Sequence, residues 1–228
     1  YLSNAGYKAE FGVREAFLLT VLSWIIVSIV GAMPFWLSAL NLSLTDSFFE
    51  SVSGITTTGS TVIEGLDDAP PGILIWRALL QWLGGVGIIV MAFSVLPFLK
   101  VGGMQLFRTE SSQNEKVMPR AAQLASSIAV VYVILTTLCV FCYFASGLSF
   151  FNSVAHAMTT IATGGFSTFD ASFGATDSIA IEITAIVFMI AGSLPFVLYL
   201  KCALGDPRPF LKDTQTQTFF GILFAAIA

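Results

Sequence analysis

The sequence predicts an all-α membrane protein made of two tandem units, each running span, short amphipathic helix, Gly/Thr strip, span. Three observations carry this. Of 228 residues, 56% are apolar and only 11% charged, with a mean hydropathy of +0.85, whereas charged residues make up about 25% of a soluble domain. Four runs of about 20 or more mostly apolar residues are long enough to cross a hydrocarbon layer roughly 30 Å thick. The polar stretches Ile55-Thr56-Thr57-Thr58-Gly59-Ser60-Thr61 and Ile161-Ala162-Thr163-Gly164-Gly165-Phe166-Ser167-Thr168 each lie between two such runs.

The spans are expected at about residues 16–40, 73–99, 121–145 and 179–200. No signal peptide is apparent before the first: Tyr1 to Arg14 is polar, and the following run is too long and lacks a small-residue cleavage site. A fifth run opens at Phe219 and reaches Ala228, about 15 Å of helix, so the chain is expected to be cut short within a further span. Pro34, Pro97 and Pro195 fall late in spans and should bend or end them. Gly84-Gly85-Val86-Gly87 in the second span suits close helix packing; it lacks the third glycine and the preceding strand of a dinucleotide-binding turn.

The net charge is −4, but its distribution says more. Lys8, Arg14, Lys100, Arg108, Lys116, Arg120, Lys201, Arg208 and Lys212 all fall on one side of the spans, which the positive-inside rule makes cytoplasmic, with the N-terminus. The strips then open outward, flanked by Asp46, Glu50, Glu64, Asp67 and Asp68 in the first unit and Asp170 and Asp177 in the second. Such acids either raise the local cation concentration or form a solvated loop. Arg77, the one basic residue on the outer side, is expected to snorkel to the interface or to pair with a nearby acid such as Asp67 or Asp68. Residues 105–120 read as a cytoplasmic connector, either a bare linker or a docking point.

Before the strips, Thr45-Asp46-Ser47-Phe48-Phe49-Glu50-Ser51-Val52 and Ser149-Phe150-Phe151-Asn152-Ser153-Val154-Ala155-His156-Ala157-Met158 share a Phe-Phe pair followed by a polar residue, Ser and Val. Matching words at matching offsets indicate duplication. Each segment is too short to span, which suits a re-entrant pore helix with the strip returning outward. Thr45 or Asp46 can cap the first helix and Ser149 or Asn152 the second. The negative end of each helix dipole then points at the pore centre and favours a cation.

A dehydrated cation needs oxygens in place of its water, and consecutive backbone carbonyls supply dipoles without countercharge. Turning them toward one axis requires angles that glycine adopts freely, hence Gly59 and Gly165. Thr57, Thr58 and Thr163 add hydroxyls. No carboxylate lies within either Thr/Gly core, so a monovalent ion fits better than a divalent one.

Ser53 to Thr61, followed by Arg77-Ala-Leu-Leu-Gln-Trp-Leu-Gly-Gly-Val-Gly87, resembles the first pore repeat of the bacterial Trk-type potassium transporters, the TrkH/KtrB family, and His156 to Thr168 resembles the second. The resemblance implies a potassium-channel-like, pseudo-fourfold pore of four repeats with one filter glycine each. Gly59 and Gly165 match those glycines, and the carbonyls of Thr57, Thr58, Thr163 and Gly164 match positions expected to face potassium. It further implies a homodimer in the cell membrane, gated by a cytoplasmic nucleotide-binding subunit, with a gating loop in the third repeat. Two repeats are missing here, so either the chain is a fragment or two copies each contribute two strips; the fifth run favours the fragment. By this reading residues 1–104 form the first repeat (pore loop about 45–62), 121–205 the second (pore loop about 149–168), and 206–228 the start of a third.

Other classes remain to be weighed. A two-pore-domain potassium channel carries a second glycine two residues after the first, where Thr61 and Ser167 stand here. A carrier with inverted repeats conflicts with the common orientation of both units. An enzyme or metal site would have to use Cys139, Cys142 and His156, but the cysteines lie in an apolar span and read as packing residues, and His156 as a hydrogen-bonded helix residue. Glu182, early in the fourth span, reads as interfacial rather than as a proton relay. No enzymatic activity, organic cofactor or nucleic-acid partner is expected.

Overall fold

Apolar side chains on every face make a helix that can be surrounded by lipid, and the first element is of this kind. In the computed structural model, which describes residues 13–99, 117–203, 205–206 and 208–227, α1 spans Val13–Trp36. Phe17, Leu22, Ile26 and Met33 lie on its exposed surface, while Ser28, Ala32 and Phe35 are buried. The chain turns and enters the short helix α2, Leu44–Ile55. After the first strip and a 3-10 turn at Leu66–Asp68, α3 runs over Pro71–Leu99.

The second unit repeats the order. Helix α4 covers Val117–Ala145 and short helix α5 Phe150–Ile161. After the second strip and a 3-10 turn at Ser172–Ala175 comes α6, Ile179–Ser193. Helix α7 follows over Phe196–Ala203, then α8 over Arg208–Lys212 and α9 over Thr214–Ile227.

Helices α2 and α5 are both 12 residues long, about 18 Å of rise. Neither can cross a bilayer. Their amphipathic faces bury Ser47, Glu50, Ser51 and Ser53 in one and Ser153, His156, Thr159 and Thr160 in the other. The N-cap of α5 is Ser149, whose hydroxyl accepts the Asn152 N–H, as expected. For α2 the cap is Ser43 instead of Thr45 or Asp46: Ser43 Oγ accepts the Asp46 N–H at 3.1 Å and donates to Asp46 Oδ2 at 2.7 Å. The reciprocal bond to the aspartate draws the start of the helix back to Ser43.

Among the described residues three helices, α1, α3 and α4, are long and apolar enough to span. The expected fourth span is broken: α6 and α7 meet at 89°. Leu194 is extended, at φ −79° and ψ 150°, as a residue before proline prefers, so Pro195 ends the helix instead of merely curving it. Helix α9 begins at Thr214, before the apolar run, because Asp213 caps it through Thr216 N–H at 2.8 Å. Lys8, Lys100, Arg108, Lys116 and most of the 105–120 connector lie outside the described residues.

Helix α1 packs on α2 and α3, α4 on α5, and α6 on α4 and α5, while α3 also packs on α5. The second span of the first unit therefore stands behind both short helices. Its glycines permit this. A Cβ on Gly84 would overlap the Ile55 carbonyl, and one on Gly85 would press on Tyr132 Oη and Ala162.

Candidate ion-path site

Both short helices end in the same set of bonds. Thr57 N–H donates to the Gly54 carbonyl and Thr58 N–H to the Ser53 carbonyl, each at 2.9 Å. In the second unit Thr163 N–H donates to Thr160 at 3.0 Å and Gly164 N–H to Thr159 at 2.9 Å. This is a Schellman ending, in which the first residue past the cap must be left-handed. That residue is threonine in both, with φ +55° at Thr57 and +52° at Thr163. A β-branched residue seldom adopts such angles. Two positions on, Gly59 and Gly165 both have φ +84°. Thr58 and Gly164, between them, are not left-handed, so left-handed residues recur at every second place in each strip.

The part of each strip after its glycine is tied to its own short helix. In the first, Ser53 Oγ donates to the Ser60 carbonyl at 2.5 Å. Glu50 accepts Thr61 Oγ1–H at 2.9 and 3.0 Å and Val62 N–H at 3.1 Å. In the second, His156 Nε2 lies 3.1 Å from Thr168 Oγ1. The Thr168 hydroxyl donates to Asn152 Oδ1 at 3.0 Å, so it accepts from His156, whose proton then sits on Nε2. The ring stacks on Phe169 and leans on Phe173. His156 is thus a hydrogen-bonded packing residue on the second short helix, as its sequence context suggests.

Helix α3 crosses from one strip to the other. Arg77, Gln81 and Gly84 share one face by their spacing of four and three. Arg77 Nε pairs with Glu50 Oε1 at 2.7 Å, with the two side chains 1% and 0% exposed. Its Nη1 donates to the Ser167 carbonyl at 2.8 Å, and the guanidinium lies 4.1 Å from the Phe166 ring centroid. Gln81 bonds the second strip twice, through Gly164 and Phe166. At the exposed end of the strips Asp170 Oδ1 accepts Leu66 N–H at 2.9 Å, joining the two loops.

Two expectations change here. Arg77 does pair with an acid, but its partner is Glu50 and not Asp67 or Asp68, and the pair is buried. Glu50 in turn is no part of an acidic mouth, being fully buried. A paired, hydrogen-bonded charge is the tolerable form of a charge so fully buried in protein.

Of the six candidate residues, Thr57 and Gly59 are half-buried, Thr58, Thr163 and Gly165 exposed, and Gly164 buried. Thr58 Oγ1 bonds Thr56 Oγ1 at 2.8 Å, and Thr163 Oγ1 donates to the Ala162 carbonyl at 2.8 Å. The two strips meet directly: a Cβ on Gly59 would overlap the Gly164 carbonyl oxygen. That oxygen, expected to face the ion, accepts Gln81 Nε2–H at 2.8 Å. Sequence reasoning misses Gln81 and the Glu50 partnership. The available signal is a polar residue inside an apolar run, which in a membrane marks a functional position.

The model of the TrkH family, described as a cation transport protein, matches residues 2–222. The chain belongs to the TrkH family. Within that family it is 46% identical over 215 residues to the Trk system potassium uptake protein TrkI of Halomonas elongata, covering 93% of this chain and 44% of the relative. It is 41% identical over 229 residues to the Trk system potassium uptake protein TrkH of Escherichia coli K12, covering 98% and 47%. The crystal structure of the potassium transporter TrkH from Vibrio parahaemolyticus superposes with a TM-score of 0.82 at 39% identity, over 94% of this chain and 44% of that one. The chain thus spans less than half the length of the TrkH-family relatives it matches, and it is an all-α membrane protein as its sequence predicts.

Proposed function

We propose that this chain supplies two of the strips lining a path for potassium uptake across the cell membrane, with main-chain oxygens beside Gly59 and Gly165 standing in for the ion's water. The observation that carries this reading is the matched backbone of the strips, left-handed at Thr57 and Gly59 and again at Thr163 and Gly165, each at the C-terminal end of a short helix. Such a backbone departs from an ordinary strand in the way a carbonyl-lined filter requires. The strips also abut, since Gly59 touches the Gly164 carbonyl. The names of the relatives, potassium uptake proteins, support potassium as cargo.

In this reading the carbonyls of Thr57, Thr58, Gly59, Thr163 and Gly165 are the ligands, and Gly164 joins the strip to its support. The activity is transport without catalysis or an organic cofactor. Residues 1–104 and 121–205 are two pore repeats joined by the 105–120 connector, with 206–228 leading onward. The basic residues set the N-terminus in the cytoplasm of an inner-membrane protein. Assembly as a homodimer with a cytoplasmic nucleotide-binding regulatory subunit rests on the family resemblance.

The test is Gly59→Ser in the full-length polypeptide, with rubidium and sodium uptake measured side by side. The φ of +84° and the overlap with Gly164 predict a marked fall in preference for rubidium. An active transporter with parental ion preference would overturn the reading.

A further inference from the structure

Gln81 is fully buried, and both ends of its amide are spent on the second strip. Nε2 donates to the Gly164 carbonyl at 2.8 Å, and Oε1 accepts Phe166 N–H at 3.1 Å. Turning the amide over would set donor against donor and acceptor against acceptor, so the partners fix its orientation. A Cβ on Gly164 would overlap the amide carbon, oxygen and nitrogen. Gly164 is not left-handed, so glycine stands there for space, where the first strip carries Thr58. The Gly164 carbonyl is also what a Cβ on Gly59 would strike. One residue from the second span of the first unit thus meets the strips of both units at a single place.

We propose that Gln81 is a positioning residue for ion selection: its amide fixes the second strip from Gly164 to Phe166 at a set distance from Gly59 of the first. The proposal rests on the reading that these strips line the potassium path. A carbonyl-lined site discriminates through the separation and field of its oxygens. A strip anchored at two backbone groups resists closing around a smaller ion. Without Gln81 the buried Phe166 N–H would lose its partner, and the strip would shift to find another.

Gln81→Met in the full-length polypeptide keeps the volume and removes both hydrogen bonds. Rubidium-over-sodium preference should fall about three- to tenfold, the range expected for one or two lost neutral hydrogen bonds. Gly164→Ala should lower the preference similarly by pushing the amide away. Adding Gln81→Ala to Gly164→Ala makes room without restoring the brace, so membrane accumulation should recover and ion preference should not. If Gln81 acted by packing alone, both would recover, and that result would overturn the proposal. Parental preference in Gln81→Met would overturn it too. Should that variant fail to accumulate, Gln81→Asn, whose amide cannot reach both groups, replaces it with the same two outcomes. Gly59→Ser run in parallel separates the two ideas. A change there with none in the Gln81 variants rejects the positioning role alone, whereas no change in any variant rejects the ion path itself.

Discussion

Arg77 and Glu50 form an ion pair at 2.7 Å with both side chains out of contact with solvent, and the same guanidinium continues to the Ser167 carbonyl of the other unit at 2.8 Å. The pair therefore joins three things: the first short helix, the second span and the second strip. Removing one charge leaves the other buried and uncompensated, which costs about 3–5 kcal/mol. Glu50→Gln should lower the midpoint of thermal unfolding in detergent and loosen the Thr61 and Val62 contacts. Replacing both partners, Glu50→Leu with Arg77→Met, should recover part of the stability, with Thr61 and Val62 still lacking their acceptor, and on the proposed reading should still lose ion preference, because nothing then reaches Ser167. A Glu50→Gln protein that melts with the parent would show that the pair carries no such load.

Close approach of α3 to the end of α2 depends on one glycine. A Cβ at Gly84 would overlap the Ile55 carbonyl oxygen, whereas one at Gly87 would meet nothing within 4 Å. Gly84→Ala should destabilise by about 1–3 kcal/mol, the usual effect of overpacking. Gly87→Ala should be neutral or slightly stabilising, since alanine favours helix over glycine by up to about 1 kcal/mol. Melting curves of the two variants check the contrast, and equal effects would contradict the packing described.

The spans, the two short helices and the strips are legible in the sequence because each rests on local information: apolar length, amphipathic spacing, and polar words repeated at one offset. Partnerships across the fold are not. Glu50 reads as one more outer acid because nothing local brings position 50 to position 77. Its place inside the amphipathic segment, between Ser47 and Ser53 on a face that turns out buried, is the only hint. Gln81 lies in a run otherwise suited to lipid, yet its partners are 83 and 85 residues away. The break at Leu194 is half legible: Pro195 signals a bend, but its size, 89°, goes with the packing of α7 on α4, a long-range contact that no local sequence feature encodes.

The serine caps give a graded test of the re-entrant helices. Ser43 and Ser149 each accept an N–H that would otherwise lack a partner within the helix, from Asp46 and Asn152. Ser149→Ala should cost about 1 kcal/mol, and Ser149→Asp should restore it. Ser43→Ala should cost more than Ser149→Ala, because it also strips Asp46 of a hydroxyl donor at 2.7 Å. Thermal midpoints of the four proteins check the order, and equal losses for the two alanine variants would argue against the reciprocal bond at Ser43.

The Asp170 clasp between the two loops should respond to acid. Asp170 holds its carboxyl below the ordinary aspartate range, chiefly because Leu66 N–H donates to it, with further help from Asp67 and Gly65. A value depressed by folding means that the carboxylate's contribution is fully present above the unfolded value, about 3.9. It is lost as pH falls through the lower folded value. Asp170→Asn removes the charge at every pH, so the parent should melt at a higher temperature than the variant near neutrality, and the gap should close only in acid, below about pH 4. Comparing the two proteins cancels the other carboxylates. A gap that stays constant down to the folded value of Asp170 and beyond would mean that the Leu66 contact does not depend on the charge.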